Sequence, residues 1–254
     1  MYYLQLDIRP TGGLTFRRMP GSILHISTYP FLPPSTMSGY LRRLLMLTKG
    51  IYPATAIKNA PYYVLPRPPY YVLGAYPVPR EAYRVHTTHR QGVRAFTYTA
   101  FSRLSWYPTG KEVYQLHTWE YLFVERLRGY VVSEEPGPLE RLKSVTNLGC
   151  KLGKEGYAYV EGISEPRALE RRKMRAMPSV LIPATELVGI PSTVYTLYRH
   201  KHEGQIALDR LAEPVPNPIA GFMPFRAGWP AEPVEIDYWT DGEVLIPASL
   251  LEVL

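Results

Sequence analysis

Residues 29–47 read YPFLPPSTMSGYLRRLLML, and the order of residue types in this stretch decides what kind of fold the chain can adopt. Pro33 and Pro34 exclude helix before them, because a proline ring pushes the preceding residue out of helical geometry. Ser35 or Thr36 then offers a side-chain oxygen to the first unpaired N–H groups of a helix, the usual role of an N-cap. Beyond that point Met37, Tyr40, Leu41, Leu44 and Leu45 recur at three- and four-residue steps and share one face. Arg42 and Arg43 lie off that face. The spacing predicts an amphipathic helix that needs an apolar surface to lie on.

Outward from this helix the chain reads as β-structure. Tyr2, Leu4, Leu6 and Ile8 alternate with Tyr3, Gln5 and Asp7, the period of a half-buried strand. TGGLTFRRMPGS follows, carrying Arg17 and Arg18, and then a short apolar run to Tyr29. After the helix, residues 52–79 are rich in Pro and Tyr. Their β-prone runs, Tyr62 to Leu65 and Tyr70 to Leu73, are bounded by prolines and read as edge strands or extended segments. Residues 83–119 form a polar and aromatic excursion holding Arg84, His86, His89, Arg90, Arg94 and Arg103, read as an extended hairpin projecting from a sheet. Tyr121 to Val124 and Gly129 to Val132 read as strands, and Gly137 to Asn147 as a short helix.

Residues 147–163, NLGCKLGKEGYAYVEGI, interleave Gly149, Gly153 and Gly156 with Lys151 and Lys154 ahead of another alternating strand. Glycines of this kind let backbone N–H groups approach an anionic neighbour. The segment is no Walker loop, because the Gly-Lys-Ser/Thr ending is absent. Residues 165–177, EPRALERRKMRAM, hold five bases within nine residues and read as a solvated connector, with a basic helix as the other reading. SVLIPA, STVYTLYRH, VEIDYW and EVLIPA complete the chain as short strands. The expected class is α+β, with a domain boundary near 165–175 and a smaller β-rich part after it.

Composition narrows the function. Of 254 residues 46% are apolar and 20% charged, which excludes wholesale disorder. No run approaches the roughly 18 to 20 apolar residues of a membrane span, and MYYLQLDIRP lacks the pattern of a secretory signal. The single cysteine, Cys150, forms no internal disulfide and supplies no Cys-based zinc site. A cytoplasmic protein without membrane partners is expected. Residues 1–110 hold 13 Lys and Arg against two acids, Asp7 and Glu81, whereas residues 111–254 hold 16 against 20. Such one-sided charge steers a polyanion toward the surface. Arginine outnumbers lysine 21 to 8 and tyrosine reaches 21, the residue types that fork onto phosphates and stack on unpaired bases.

Catalytic signals are sparse. His86 with His89, and His200 with His202, have chelating spacing, but no HExxH or clustered carboxylate motif accompanies them. No metal and no cofactor are expected. Metal-free RNA cleavage needs a base, an acid and a cation. His25, Tyr29 and Lys49 are the residue types available near the proline-capped helix for that alternative. Cys150 reads as a small loop residue.

The first strand, then Tyr29, Pro30, Pro34, Ser35, Thr36 and Gly39 at the head of the helix, then the downstream turn with Gly149, Gly153 and Gly156, resemble the RAMP proteins of CRISPR antiviral defence. The chain is most similar to the Cas five family, mainly over residues 1–50 and 140–163. The resemblance implies a ferredoxin-like, RRM-related domain over residues 1–165 with a β-hairpin thumb inserted near 83–119, and a smaller β-rich domain over 166–254. It implies a subunit of a type I Cascade-like effector complex that grips the 5′ handle of the crRNA and touches the backbone and large subunits. Target DNA is then met only through the complex. RNA-contacting residues carried over by position are Ser35, Thr36, Ser38, Gly39, Lys151, Lys154 and the three glycines, with Arg84, Arg90 and Arg94 on the thumb. Arg17, Arg18, Arg42 and Arg43 complete the basic set. Some members of the family cleave repeat RNA without metal, so the endoribonuclease alternative stays open, as does a basic surface that docks an acidic protein.

Overall fold

Leu4, Leu6 and Ile8 are fully buried on one side of strand β1 (Tyr2–Pro10), each worth about 2 kcal/mol of apolar burial. The computed structural model describes residues 1–19, 25–50, 62–63, 69–93, 114–200, 214–215 and 222–254. After β1 come the short β2 (His25–Ile26), helix α1 (Pro34–Thr48), the two-residue β3 (Tyr62–Tyr63) and β4 (Tyr71–Pro77). Two long strands follow, β5 (Tyr83–Val93) and β6 (Tyr114–Val124), and then β7 (Leu127–Ser133). Helix α2 (Pro136–Glu140) runs into a 3-10 turn at Arg141–Val145, and β8 (Gly149–Lys151) leads to β9 (Tyr157–Ile163).

Strands β4, β7, β1, β9 and β8 form one sheet in that order, every neighbouring pair antiparallel. Helix α1 packs on it through Met37, Tyr40, Leu41 and Leu44, the residues of the predicted stripe, and the Tyr40 hydroxyl donates to the Ala158 carbonyl of β9 at 2.9 Å. The helix begins earlier than the N-cap expectation. Pro34 is its first residue and Pro33 flanks it in extended geometry without a side-chain cap, so Ser35 and Thr36 sit inside the first turn. A proline at this position loses nothing, since its missing N–H would have had no helical partner.

The remaining strands are β10 (Arg167–Ala168), β11 (Glu170–Ala176), β12 (Ile182–Pro183), β13 (Ser192–His200), β14 (Pro214–Val215), β15 (Phe222–Pro230), β16 (Val234–Thr240) and β17 (Leu245–Pro247), closed by helix α3 (Ala248–Val253). β10 still pairs with β1, β14 pairs with β3, and the others form two three-stranded sheets, β11-β16-β17 and β12-β15-β13. The basic run at 167–175 is therefore strand and not helix. It passes from one sheet to another, Arg167 and Ala168 pairing with β1 and Glu170 to Ala176 with β16, from Glu170 opposite Thr240 to Ala176 opposite Val234.

This second part covers the sheet face opposite α1. The Tyr3 hydroxyl donates to Asp241 at 2.7 Å, and Tyr76 of β4 meets Trp229 of β15 edge to face with centroids 4.9 Å apart. The Arg80 guanidinium lies 3.8 Å over the Trp229 ring and donates to the Pro178 carbonyl at 2.6 Å. One apolar cluster runs from Leu4 and Leu41 to Leu197, Ile246 and Leu250. The chain is α+β with strands predominating, and among the described residues no helix is long and apolar enough to cross a membrane.

Candidate nucleic-acid interface

Between β4 and β7 the chain leaves the main sheet as a hairpin, β5 and β6 pairing from Tyr83 opposite Val124 to Val93 opposite Tyr114. One side is held down. Leu122 is buried and exchanges backbone hydrogen bonds with Leu14 at 2.9 and 2.7 Å, and the Thr15 hydroxyl donates to the Glu120 carbonyl at 2.9 Å. By strand alternation the other side carries Trp119, Tyr121 and Phe123, opposite Thr88, His86 and Arg84. Trp119 and Tyr121 stack with centroids 6.5 Å apart and planes 21° apart, and His86 meets Phe123 edge-on at 6.4 Å. Phe123 is 47% exposed, a large fraction for a phenylalanine. Gly13 lies against this wall, where an added Cβ would stand 3.0 Å from Phe123 Cζ and 3.2 Å from Tyr121 Cβ.

The glycine-rich turn docks onto the same segment. The Lys154 N–H donates to the Thr15 carbonyl at 2.9 Å, and the Thr15 N–H donates to the Glu155 carbonyl at 3.0 Å. Gly153 and Gly156 have φ of 77° and 112°, a region closed to ordinary side chains. A Cβ at Gly153 would sit 2.6 Å from the Thr15 carbonyl oxygen, so glycine is also what lets the two backbones touch. The hairpin and the chain around Pro10–Gly13 border two adjoining open grooves that share Phe123, and the turn adds Glu155 and Gly156 to the second. One, about 560 Å³, is lined by Pro10, Gly12, Glu81, Arg84 and Glu125 among others. The second, about 400 Å³, is lined by Gly13, His86, Tyr121, Glu155 and Gly156.

Cations gather on the turn. Partial withdrawal from water pushes the Lys154 pKa below the ordinary lysine value although the side chain as a whole is exposed; Arg17 and Lys151 push the same way, and Glu155 opposes them. Burial pushes the Cys150 thiol up, with Arg43 of α1 acting against it, which places Arg43 beside the same turn. Among the described residues no carboxylate comes within ion-pair distance of Arg43, Arg84, Lys151 or Lys154. Arg43, Lys151 and Lys154, without such partners, gain energy when an anion arrives.

Other expected residues stand elsewhere. Arg18 lies over the Tyr29 and Tyr195 rings at 5.8 and 5.3 Å. Burial pushes the Arg42 pKa down and neighbouring Tyr70 acts against it, so Arg42 faces the β4 side of α1. Ser35, Thr36, Ser38 and Gly39 open α1, with Gly39 exposed to open space. It is the middle of the helix, at Tyr40 and Arg43, that approaches the turn. Of the thumb arginines, Arg84 lines the larger groove, the Arg90 side chain lies outside the described residues, and so do Arg94 and Arg103.

The cleavage alternative finds its three residues in separate surroundings. Tyr29 is 3% exposed with its hydroxyl in reach of the Thr196 and Arg18 carbonyls, and burial pushes its pKa up. His25 stands 3.6 Å from Glu120. Lys49 follows the far end of α1, about 22 Å along the axis from Pro34. His86 and His89 point to opposite sides of the hairpin, and His89 Nδ1 lies 3.3 Å from the Thr118 hydroxyl. The His200 side chain and His202 lie outside the described residues. Among the described residues no three His, Cys, Asp or Glu side chains are placed to hold a metal ion.

Gly13, Trp119, Tyr121 and Phe123 were not among the residues expected from the sequence to bind. The signal for three of them is present, since aromatics at 119, 121 and 123 repeat at strand period in a segment whose intervening residues are Glu120 and Leu122.

No family model matches the chain, and no curated protein matches it. Among solved structures it is similar to a CRISPR protein from Archaeoglobus fulgidus known from a crystal structure, at 12% identity over 97% of this chain and 98% of that one, with a TM-score of 0.46. It is also similar to a chain of the type III-B Cmr-beta complex, solved by cryo-electron microscopy bound to cognate target RNA and AMPPnP. There the identity is 12% over 92% of this chain and 86% of the other, with a TM-score of 0.41.

Proposed function

We propose that this chain is an RNA-binding RAMP subunit of a CRISPR effector complex that grips the 5′ handle of the guide RNA and caps the backbone. The observation that carries the reading is the junction at residues 13–16, where the glycine turn, its cations and the aromatic wall meet. Phosphates of a single strand lie on Lys151, Lys154, Arg17 and Arg43 and on the amides of the turn, while unstacked bases rest on Phe123 and Tyr121. The succession β1-α1-β4-β7-α2-β9, with sheet order β4-β7-β1-β9, supports a ferredoxin-like reading of residues 1–165. The β5-β6 hairpin is then the thumb, reaching a neighbouring backbone subunit, and residues 166–254 form the smaller lobe. The large subunit completes the contacts, and target DNA is met through the assembled complex.

The test is fluorescence anisotropy of a labelled 12-nucleotide single-stranded RNA between 50 and 300 mM salt. Log affinity falls linearly with log salt, with a slope of about −2 to −3 for three or four phosphate contacts. Binding that ignores salt, or none, overturns the proposal and favours an acidic protein as the partner.

A further inference from the structure

Both grooves contain carboxylates, whereas the cations at the glycine turn line neither of them. Glu81, Arg84, Phe123 and Glu125 line the larger groove, with Arg80 near Glu81 and Arg9 near Glu125, and Glu155 lines the smaller one. Arg17 and the turn's own Lys151 both act on Lys154, and none of the three is in the lining of either groove. The two carboxylates disfavour a phosphate inside the larger groove, while the cations at the turn attract one. A base is not repelled. Its flat face matches Phe123, which is 47% exposed and held edge-on by His86, with Gly13 leaving the ring in place.

Ionised carboxylates only accept hydrogen bonds. The base edges that suit them carry donors: the N4 amine of cytosine, the N6 amine of adenine, or the N1–H and N2 amine of guanine. Uracil offers one N–H flanked by two carbonyl oxygens, which face Glu81 and Glu125 with like partial charge. We infer that the groove formed by Glu81, Arg84, Phe123 and Glu125 is a base-reading subsite that takes one unstacked base bearing an exocyclic amine and rejects uracil. The inference rests on the RNA-binding reading and adds to it a chemical selectivity that a phosphate grip lacks.

Labelled octanucleotides of cytidine and of uridine are the probes, two pyrimidines of similar stacking, titrated against the full chain at several salt concentrations. The cytidine octamer binds about tenfold tighter, the discrimination expected of a good base-edge contact. Glu81→Gln with Glu125→Gln narrows the ratio to about twofold, mainly by admitting uridine, because the neutral amide both donates and accepts. Phe123→Ala weakens both octamers by about tenfold and leaves the salt slope intact. Both glutamates are exposed, so the double variant folds, and an unchanged circular dichroism melt verifies it. A wild-type ratio near one, or a ratio that survives the double substitution, overturns the inference alone while salt-dependent binding stands. If neither octamer binds in a salt-dependent way, the RNA reading itself fails and the inference with it.

Discussion

Two arginine- and lysine-rich regions of this chain look alike in sequence and differ in what surrounds their charges. On β11, Arg171 meets Asp237 at 2.6 Å, Arg172 meets Glu170 at 2.6 Å, and Lys173 lies 4.0 Å from Glu235. Nearby Arg167 pairs with Glu243 at 2.7 Å. Around the glycine turn, Arg43, Lys151 and Lys154 have no such partner among the described residues, and the nearest influences on Lys154 include two further cations. The first region is a solvated sheet edge where four of the five bases meet carboxylates, and charged side chains on such an edge resist pairing with other chains. The second is a field awaiting an anion. The number of bases is therefore a poor guide to a binding surface, and the carboxylates within reach decide.

The most damaging change expected is Gly153→Ala. At φ 77° a Cβ costs about 1–2 kcal/mol, and this one would also press on the Thr15 carbonyl oxygen at 2.6 Å. Urea denaturation should show a loss of about 2 kcal/mol or more, with RNA affinity falling because the turn separates from segment 13–16. Lys151→Ala with Lys154→Ala comes next. It should weaken single-stranded RNA about tenfold and flatten the salt slope by about 1.4, the share of two phosphate contacts. Arg171→Ala with Arg172→Ala removes the same formal charge from β11 and should leave both affinity and slope unmoved. Equal losses from the two double variants would erase the distinction between the regions.

The reverse experiment has a smaller effect. Asp237→Asn with Glu235→Gln uncovers Arg171 and Lys173 without touching the turn. Non-specific RNA binding should rise about two- to threefold at low salt, and the gain should vanish above a few tenths molar. No gain would mean that β11 is silent for a reason other than its acid partners.

Much of this arrangement was legible in local pattern. The alternation of Tyr2 to Ile8 and the stripe from Met37 to Leu44 state their own periods, and strand and helix follow. β11 was not legible, because ERRKMRA has no apolar period, and its strand character comes from a partner about sixty residues later in the chain. The site was half legible. Glycines and lysines at 149–156 announce a turn suited to anions, but that it docks on Thr15 and Gly13 is a tertiary fact. Arg18 and Arg42 show the same limit: their residue type suggests phosphate, while Arg18 lies over the Tyr29 and Tyr195 rings and Arg42 is half-buried near Tyr70.

The subtlest way to sharpen the comparison is titration. Lys154 is held below the ordinary lysine value of 10.5 first by its withdrawal from water and then by Arg17 and Lys151. A lowered pKa means that the ammonium loses its proton at a lower pH than a free lysine does. On the proposed reading RNA binds the charged form, so bound phosphate raises that pKa again and binding takes up a proton across the interval between the two values. Affinity should therefore begin to fall on the alkaline side while an ordinary lysine is still charged. Lys154→Arg keeps its charge through the same range and should flatten the decline. Arg171 and Arg172 on β11 are arginines in contact with carboxylates, so the variant lacking both should titrate like the wild type. A decline unchanged by Lys154→Arg would assign the proton to another group and remove Lys154 from the phosphate path.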